Sequence, residues 1–95
     1  MANMAMLNNI HSFRHVMSID LPPLRFDHPF AGKVVIEQVD LAGQWQHCQP
    51  YGGWACAFVV DGVCHIYVIA EHSGDRDLMR HERGHCNGWP ADHPR

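Results

Sequence analysis

Residues 54–87 read WACAFVV-DG-VCHIYVIA-EHSG-DRDLMRHERGHCN, and the order of patterns along them sets the fold class. Residues 54–60 and 63–70 are apolar runs rich in β-branched and aromatic side chains, separated by Asp61-Gly62. A two-residue Asp-Gly connection suits a type I′ turn, which needs positive φ at both positions, so residues 54–70 are expected to form a β-hairpin. The turn sets the register. Val60 faces Val63, Val59 faces Cys64, and Cys56 faces Tyr67. One face then carries Ala55, Ala57, Val59, Cys64, Ile66 and Val68, an apolar surface suited to close packing against a helix. The other carries Trp54, Cys56, Phe58, Val60, His65, Tyr67 and Ile69. Cys56 and Cys64 fall on opposite faces and should not bond to each other.

Downstream, residues 75–87 repeat their apolar positions at helical spacing. Ser73 or Asp75 can serve as N-cap, and Asp75 and Asp77 lie at the positive end of the helix dipole. Gly88 suits the residue just past the helix, and Pro90 prevents its continuation. At about 100° per residue, Leu78, Met79, His81, Glu82, His85 and Cys86 share one side, and Arg76, Arg80, Arg83, Gly84 and Asn87 the other. The expected architecture is α+β: a small, mostly antiparallel sheet whose hairpin (54–70) packs on this helix (about 75–87).

Working toward the N-terminus, residues 40–53 contain Gly43, Pro50, Gly52 and Gly53 and read as a loop. Residues 33–39 (KVVIEQV) read as a strand. Residues 21–24 (LPPL) start an extended segment. Met6, Ile10, Phe13 and Met17 recur at helical steps, so residues 1–20 are expected to be a flexible leader or a short helix, and residues 21–95 a single domain. The length of 95 residues is consistent with one domain, and 46% hydrophobic residues suit a globular chain. A net charge of −3 gives no electrostatic reason to expect nucleic acid or an anionic membrane as partner. The N-terminus lacks an apolar signal-peptide core, and no stretch is long and apolar enough to span a membrane, so a cytoplasmic protein is expected. The four cysteines, Cys48, Cys56, Cys64 and Cys86, contain no Cys-x-x-Cys pair. In the cytoplasm they would be free thiols, whereas an oxidising compartment would permit disulfides.

The chemistry concentrates in His81-Glu82-Arg83-Gly84-His85, an H-E-x-x-H match. Side chains at i and i+4 lie one above the other on a helix, so two imidazoles can reach one ion. The intervening glutamate projects toward the same place and can take a proton from a zinc-activated water. With nine His and three Glu in the chain, chance predicts roughly 0.03 such matches.

The segment HERGHCNGWPADH resembles the active-site helix of the zincin metallopeptidases, and within them the metzincin motif H-E-x-x-H-x-x-G-x-x-H/D. His81, Glu82, His85 and Gly88 match position for position. In that family the glycine turns the chain back so that a third ligand reaches the metal. Its place falls at Ala91 here, followed by Asp92 and His93. His93 is favoured as third ligand for the longer reach of its imidazole, with Asp92 as the alternative or as a partner holding an imidazole. No methionine follows the motif, whereas the family carries a methionine turn there.

The resemblance implies a Zn²⁺ ion held by His81, His85 and His93, with Glu82 as the catalytic base. It also implies a peptide or protein substrate laid along a sheet edge and hydrolysed at an amide bond. The rival reading is a metal-stabilised binding or regulatory module without turnover. Among other residues, His65, His72 and Glu71 could approach the metal, and Cys86 reads as buried and structural. Trp45, Trp54 and Trp89 read as core or cleft lining. Tyr67 could stabilise an oxyanion only if its hairpin face borders the metal.

Overall fold

A computed structural model describes residues 19–95. The short helix anticipated around Met6, Ile10, Phe13 and Met17 lies outside them. Strand β1 (Val34–Val39) leads into helix α1 (Leu41–Cys48), then β2 (Ala55–Val60), β3 (Val63–Ile69), a 3₁₀ turn (Ala70–His72) and helix α2 (Arg76–Cys86). Among the described residues, no helix is long and apolar enough to cross a membrane.

The hairpin forms in the expected register, with Val60 opposite Val63, Val59 opposite Cys64 and Cys56 opposite Tyr67. Asp61 and Gly62 adopt φ of 51° and 77°, the positive values a type I′ turn requires. The sheet as a whole is mixed instead of mostly antiparallel. Its order is β1-β3-β2, and β1 runs parallel to β3. The reason is α1, which carries the chain over one face so that the hairpin returns β3 alongside β1 in the same direction.

Helix α1 occupies residues 41–48 of the stretch expected to be a loop, and residues 49–53 stay irregular as expected. Asp40 caps it, its carboxylate accepting the Gly43 N–H at 2.7 Å. Eight residues with two large hydrophobic side chains exposed, Leu41 and Trp45, leave little periodic signal, and Gly43 and Pro50 read as turn punctuation. The helix stands because Cys48 bonds to Cys56 on β2 and the Tyr67 ring stacks on His47 at 4.1 Å.

The two hairpin faces therefore receive one helix each. The face of Cys64, Ile66 and Val68 is buried under α2, and Cys64 bonds to Cys86 of that helix. Phe30, Val34, Ala57 and Met79 pack around this pair. Val59 lies beyond the reach of α2 and stays 45% exposed. All four cysteines are thus paired, which corrects the expectation of free thiols. The opposite-face argument against a Cys56–Cys64 bond holds, since each cysteine bonds a helix on its own side.

Helix α2 begins at Asp75, whose carboxylate accepts the N–H groups of Asp77 and Leu78. It ends in a Schellman closure: the Gly88 N–H donates to the His85 carbonyl and the Trp89 N–H to the Gly84 carbonyl, with Gly88 at φ 108°. The side carrying Gly84 and the arginines is partly covered by residues 20–28. Arg80 pairs with Asp27, and the Asn87 amide donates to the Phe26 and His28 carbonyls. A Cβ on Gly84 would sit 2.8 Å from Pro22 Cβ and 3.2 Å from Trp89 Cε3, so this close approach admits only glycine.

Intact protein is expected to show no alkylatable thiol before reduction and four after it, read by mass spectrometry under denaturing conditions. Replacing Cys64 and Cys86 together by Ala should lower unfolding free energy by about 2–4 kcal/mol in urea titrations, the range for a loop of this size. Four reactive thiols in the unreduced chain would contradict the pairing.

Candidate metal centre

His81 and His85 stand one turn apart on α2, and the chain beyond the Schellman closure brings His93 back to them. Pro90 and His93 close the return turn, the His93 N–H donating to the Pro90 carbonyl at 2.9 Å. His93 itself sits at φ 58°, a left-handed conformation that a non-glycine residue adopts at some energetic cost. The Nε2 atoms of His81 and His93 lie 3.2 and 3.1 Å from Nε2 of His85. One donor atom from each of the three lies within 4.8 Å of the others, so the three histidines could hold a metal ion. Asp92 is exposed and outside this cluster.

The outer nitrogens decide what these contacts mean. His81 Nδ1 faces the Asp20 carbonyl, and His85 Nδ1 faces the Trp89 carbonyl at 2.7 Å. A carbonyl oxygen brings no proton, so each Nδ1 is the protonated nitrogen, and each neutral ring presents a bare lone pair at Nε2. Two bare nitrogens 3.2 Å apart have no hydrogen bond to make to each other, and a shared cation or water would bridge them. Two nitrogens bound tetrahedrally at about 2.0–2.1 Å from one zinc would be about 3.3–3.4 Å apart, close to the observed spacing. Outer hydrogen bonds of this kind fix the ring orientation wherever histidines bind a metal.

Glu82 completes the arrangement. Its side chain is 4% exposed, and Oε1 is buried with no hydrogen-bond partner. Burial pushes its pKa up to about 8. Burial also lowers the pKa of His81 and His85 from the ordinary 6.5, which keeps both rings neutral. Glu82 and the three histidines line one cavity of about 340 Å³ between α2 and the β2 edge. Trp89, 2% exposed, stacks on His85 with ring centroids 4.9 Å apart, and its indole N–H donates to the Pro94 carbonyl.

The remaining candidates lie elsewhere. His65 stacks loosely with Phe58, and His72 lies flat on Trp54 at 3.9 Å. Glu71 lines a separate groove with Trp54 and His72. Tyr67 is stacked on His47, and the cavity wall does not include it. Two contributors carried no sequence signal. Asp20 acts through its backbone carbonyl, and its carboxylate is clipped to Arg95 at 3.2 Å, so a residue placed in the leader belongs to the site. Tyr51 reaches the cavity from the segment between α1 and β2. No protein-family model, curated protein or solved structure matches the chain.

The raised pKa of Glu82 has a definite sign in the metal-free protein. Between 4.5 and about 8 the folded state binds a proton that the unfolded chain has released, so stability falls as pH rises. The histidines act in the opposite sense below 6.5, where the unfolded chain takes up protons first. From pH 6.5 to 8, chelator-treated protein should lose on the order of 1–2 kcal/mol of stability. Glu82→Gln should flatten that slope, read by urea unfolding at a series of pH values. An unchanged slope would mean that the carboxyl is not buried as described.

Proposed function

We propose that the chain is a zinc-dependent hydrolase, built like a minimal zincin metallopeptidase, that cleaves a peptide or amide bond with a zinc-activated water. The observation that carries this reading is the convergence of three imidazoles beside a buried carboxyl oxygen with no partner. His81, His85 and His93 are the residues that would hold the ion, and His nitrogens with this spacing suit zinc. Zinc would polarise the scissile carbonyl and acidify the attacking water. With the positive ion beside it favouring its ionised form, Glu82 would take the proton from that water and deliver it to the departing amine. The cavity opens along β2, an edge strand, where an extended peptide can add its backbone hydrogen bonds.

The donor set favours this reading over a structural metal module. Among the described residues the cluster offers three ligands, and a structural zinc site closes with four. The fold also has two disulfides to staple it, so metal is not needed for that purpose. The same disulfides favour an oxidising compartment over the cytoplasm, where thiols stay reduced.

Wild-type protein should bind about one zinc per chain, and His81→Ala should abolish stoichiometric binding in elemental analysis. His93→Ala should weaken zinc far more than Asp92→Ala. Glu82→Gln should keep zinc and fold while losing on the order of 10²-fold or more in hydrolysis of a peptide library. Equal activity of Glu82→Gln and wild type would refute the mechanism.

A further inference from the structure

The three imidazoles reach the cluster by different means. His81 and His85 ride on α2, and each has its Nδ1 held by a carbonyl, that of Asp20 and that of Trp89. His93 comes from outside the helix, on the turn that follows the Schellman closure. Among the described residues, no hydrogen bond holds its Nδ1, and its backbone sits at φ 58°. A side chain carried on a short turn is placed only as well as the turn is ordered, and order costs conformational entropy. Something must hold that turn.

Two side chains hold the backbone around His93. The Trp89 indole N–H donates to the Pro94 carbonyl at 2.8 Å, and the Arg95 guanidinium donates to the Leu21 carbonyl at 2.7 Å and to the Asp20 carboxylate at 3.2 Å. The Arg95 contacts are exposed, where water competes and an ion pair contributes little. The Trp89 bond is partly buried, and its donor is fixed. The Trp89 backbone N–H closes α2 on the Gly84 carbonyl at 2.9 Å, and its ring centroid lies 4.9 Å from His85, 4.8 Å from His93 and 5.1 Å from His81. Proline has no N–H, so the carbonyl is the one backbone hydrogen-bonding group by which Pro94 can be held. With the His93 N–H on the Pro90 carbonyl, the third imidazole is bracketed by two bonds that return to residues 89 and 90.

We infer that Trp89 is the positioning residue for His93: its indole N–H, acting through the Pro94 carbonyl, holds the turn in the form that brings the third imidazole to His81 and His85. The inference rests on reading the three histidines as a metal site and does not depend on hydrolysis. Without the N–H the ring can still stack on His85, but the Pro94 carbonyl is free to turn to water. His93 can then leave its left-handed conformation for a commoner one. The two helix imidazoles stay where α2 puts them. The role is therefore specific to the third ligand, which separates it from general support of the core.

Trp89→Phe removes the N–H but also shrinks a buried ring. Exchange of the Trp89 indole for benzothiophene in the full chain keeps the bicyclic shape and puts sulfur in place of the N–H, so it isolates the bond. The probe is cobalt(II), which accepts the same nitrogens as zinc and absorbs strongly in tetrahedral sites and weakly in octahedral ones. The exchanged protein should bind cobalt on the order of 10-fold more weakly than wild type, the scale of one net hydrogen bond, with a diminished visible band. In a His93→Ala background the exchange should have no further effect, because the group it positions is gone. Wild type supplies a second measurement that needs no variant. Coupling is reciprocal, so cobalt should slow solvent exchange of the Trp89 indole proton by a similar factor, read by NMR. Unchanged affinity and absorption after the benzothiophene exchange, or an indole proton indifferent to cobalt, would overturn the role of Trp89 and leave the metal reading standing. An equal loss in the His93→Ala background would overturn it too, since Trp89 would then act on His85. Wild type that binds no cobalt would overturn the metal reading, and the role of Trp89 with it.

Discussion

The bond between Cys64 and Cys86 seats helix α2 on the central strand, and the cluster of three histidines depends on that seating. Cys86 directly follows His85, so the covalent anchor lies one residue from the middle imidazole of the cluster. Small side chains on β2 and β3 let the helix come close enough for Ala57 and Ile66 to pack beneath it. One turn later the Schellman closure at Gly88 buries Trp89 against His85 and reverses the chain toward His93. A helix displaced along the sheet would carry two imidazoles with it and break the spacing that a third must complete.

Around that anchor, polar groups are arranged so that three imidazoles could share a cation. Desolvation keeps two imidazoles neutral, their outer nitrogens are held by carbonyls, and their inner lone pairs face one another. A carboxyl with an unsatisfied oxygen is buried beside them. Buried polar groups are ordinarily paired, so an unpaired carboxyl oxygen beside three imidazoles singles this cavity out. Backbone carbonyls serve as orienting groups from two directions: Trp89 comes from the turn after the helix, and Asp20 from a strap that passes over it and is tied down by Arg95. Gly84 sits inside the H-E-x-x-H run because that strap, through Pro22, needs the space a side chain would fill.

The second disulfide does on the other face what the first does here. It holds a short helix that would not persist alone, and it frames the segment carrying Tyr51. A chain this small buries a limited core, and two covalent links on opposite sides of one hairpin compensate for it.

Local patterns were legible in residues 54–88. The Asp-Gly turn, the alternation along both strands, the Asp75 cap and the Gly88 stop each act within a few residues, so they determined the hairpin register, the helix and the pairing of His81 with His85. The same reasoning excluded a Cys56–Cys64 bond. What lay outside was set by contacts between distant segments. Helix α1 was hidden because Gly43 and Pro50 look like turn residues until a disulfide and a stacked Tyr67 hold them, and the parallel β1–β3 pairing follows from where that helix carries the chain. Asp20 enters the site through a backbone oxygen, which no residue type announces. His93 was favoured over Asp92 by reach alone; the left-handed turn closed at His93 brings its ring to the cluster and leaves the Asp92 side chain outside. Sequence by itself determined which groups could share one helix face, because helical spacing is a local property. Only the tertiary structure decided what meets them there, because convergence depends on how far-separated segments fold back through packing and disulfide bonds.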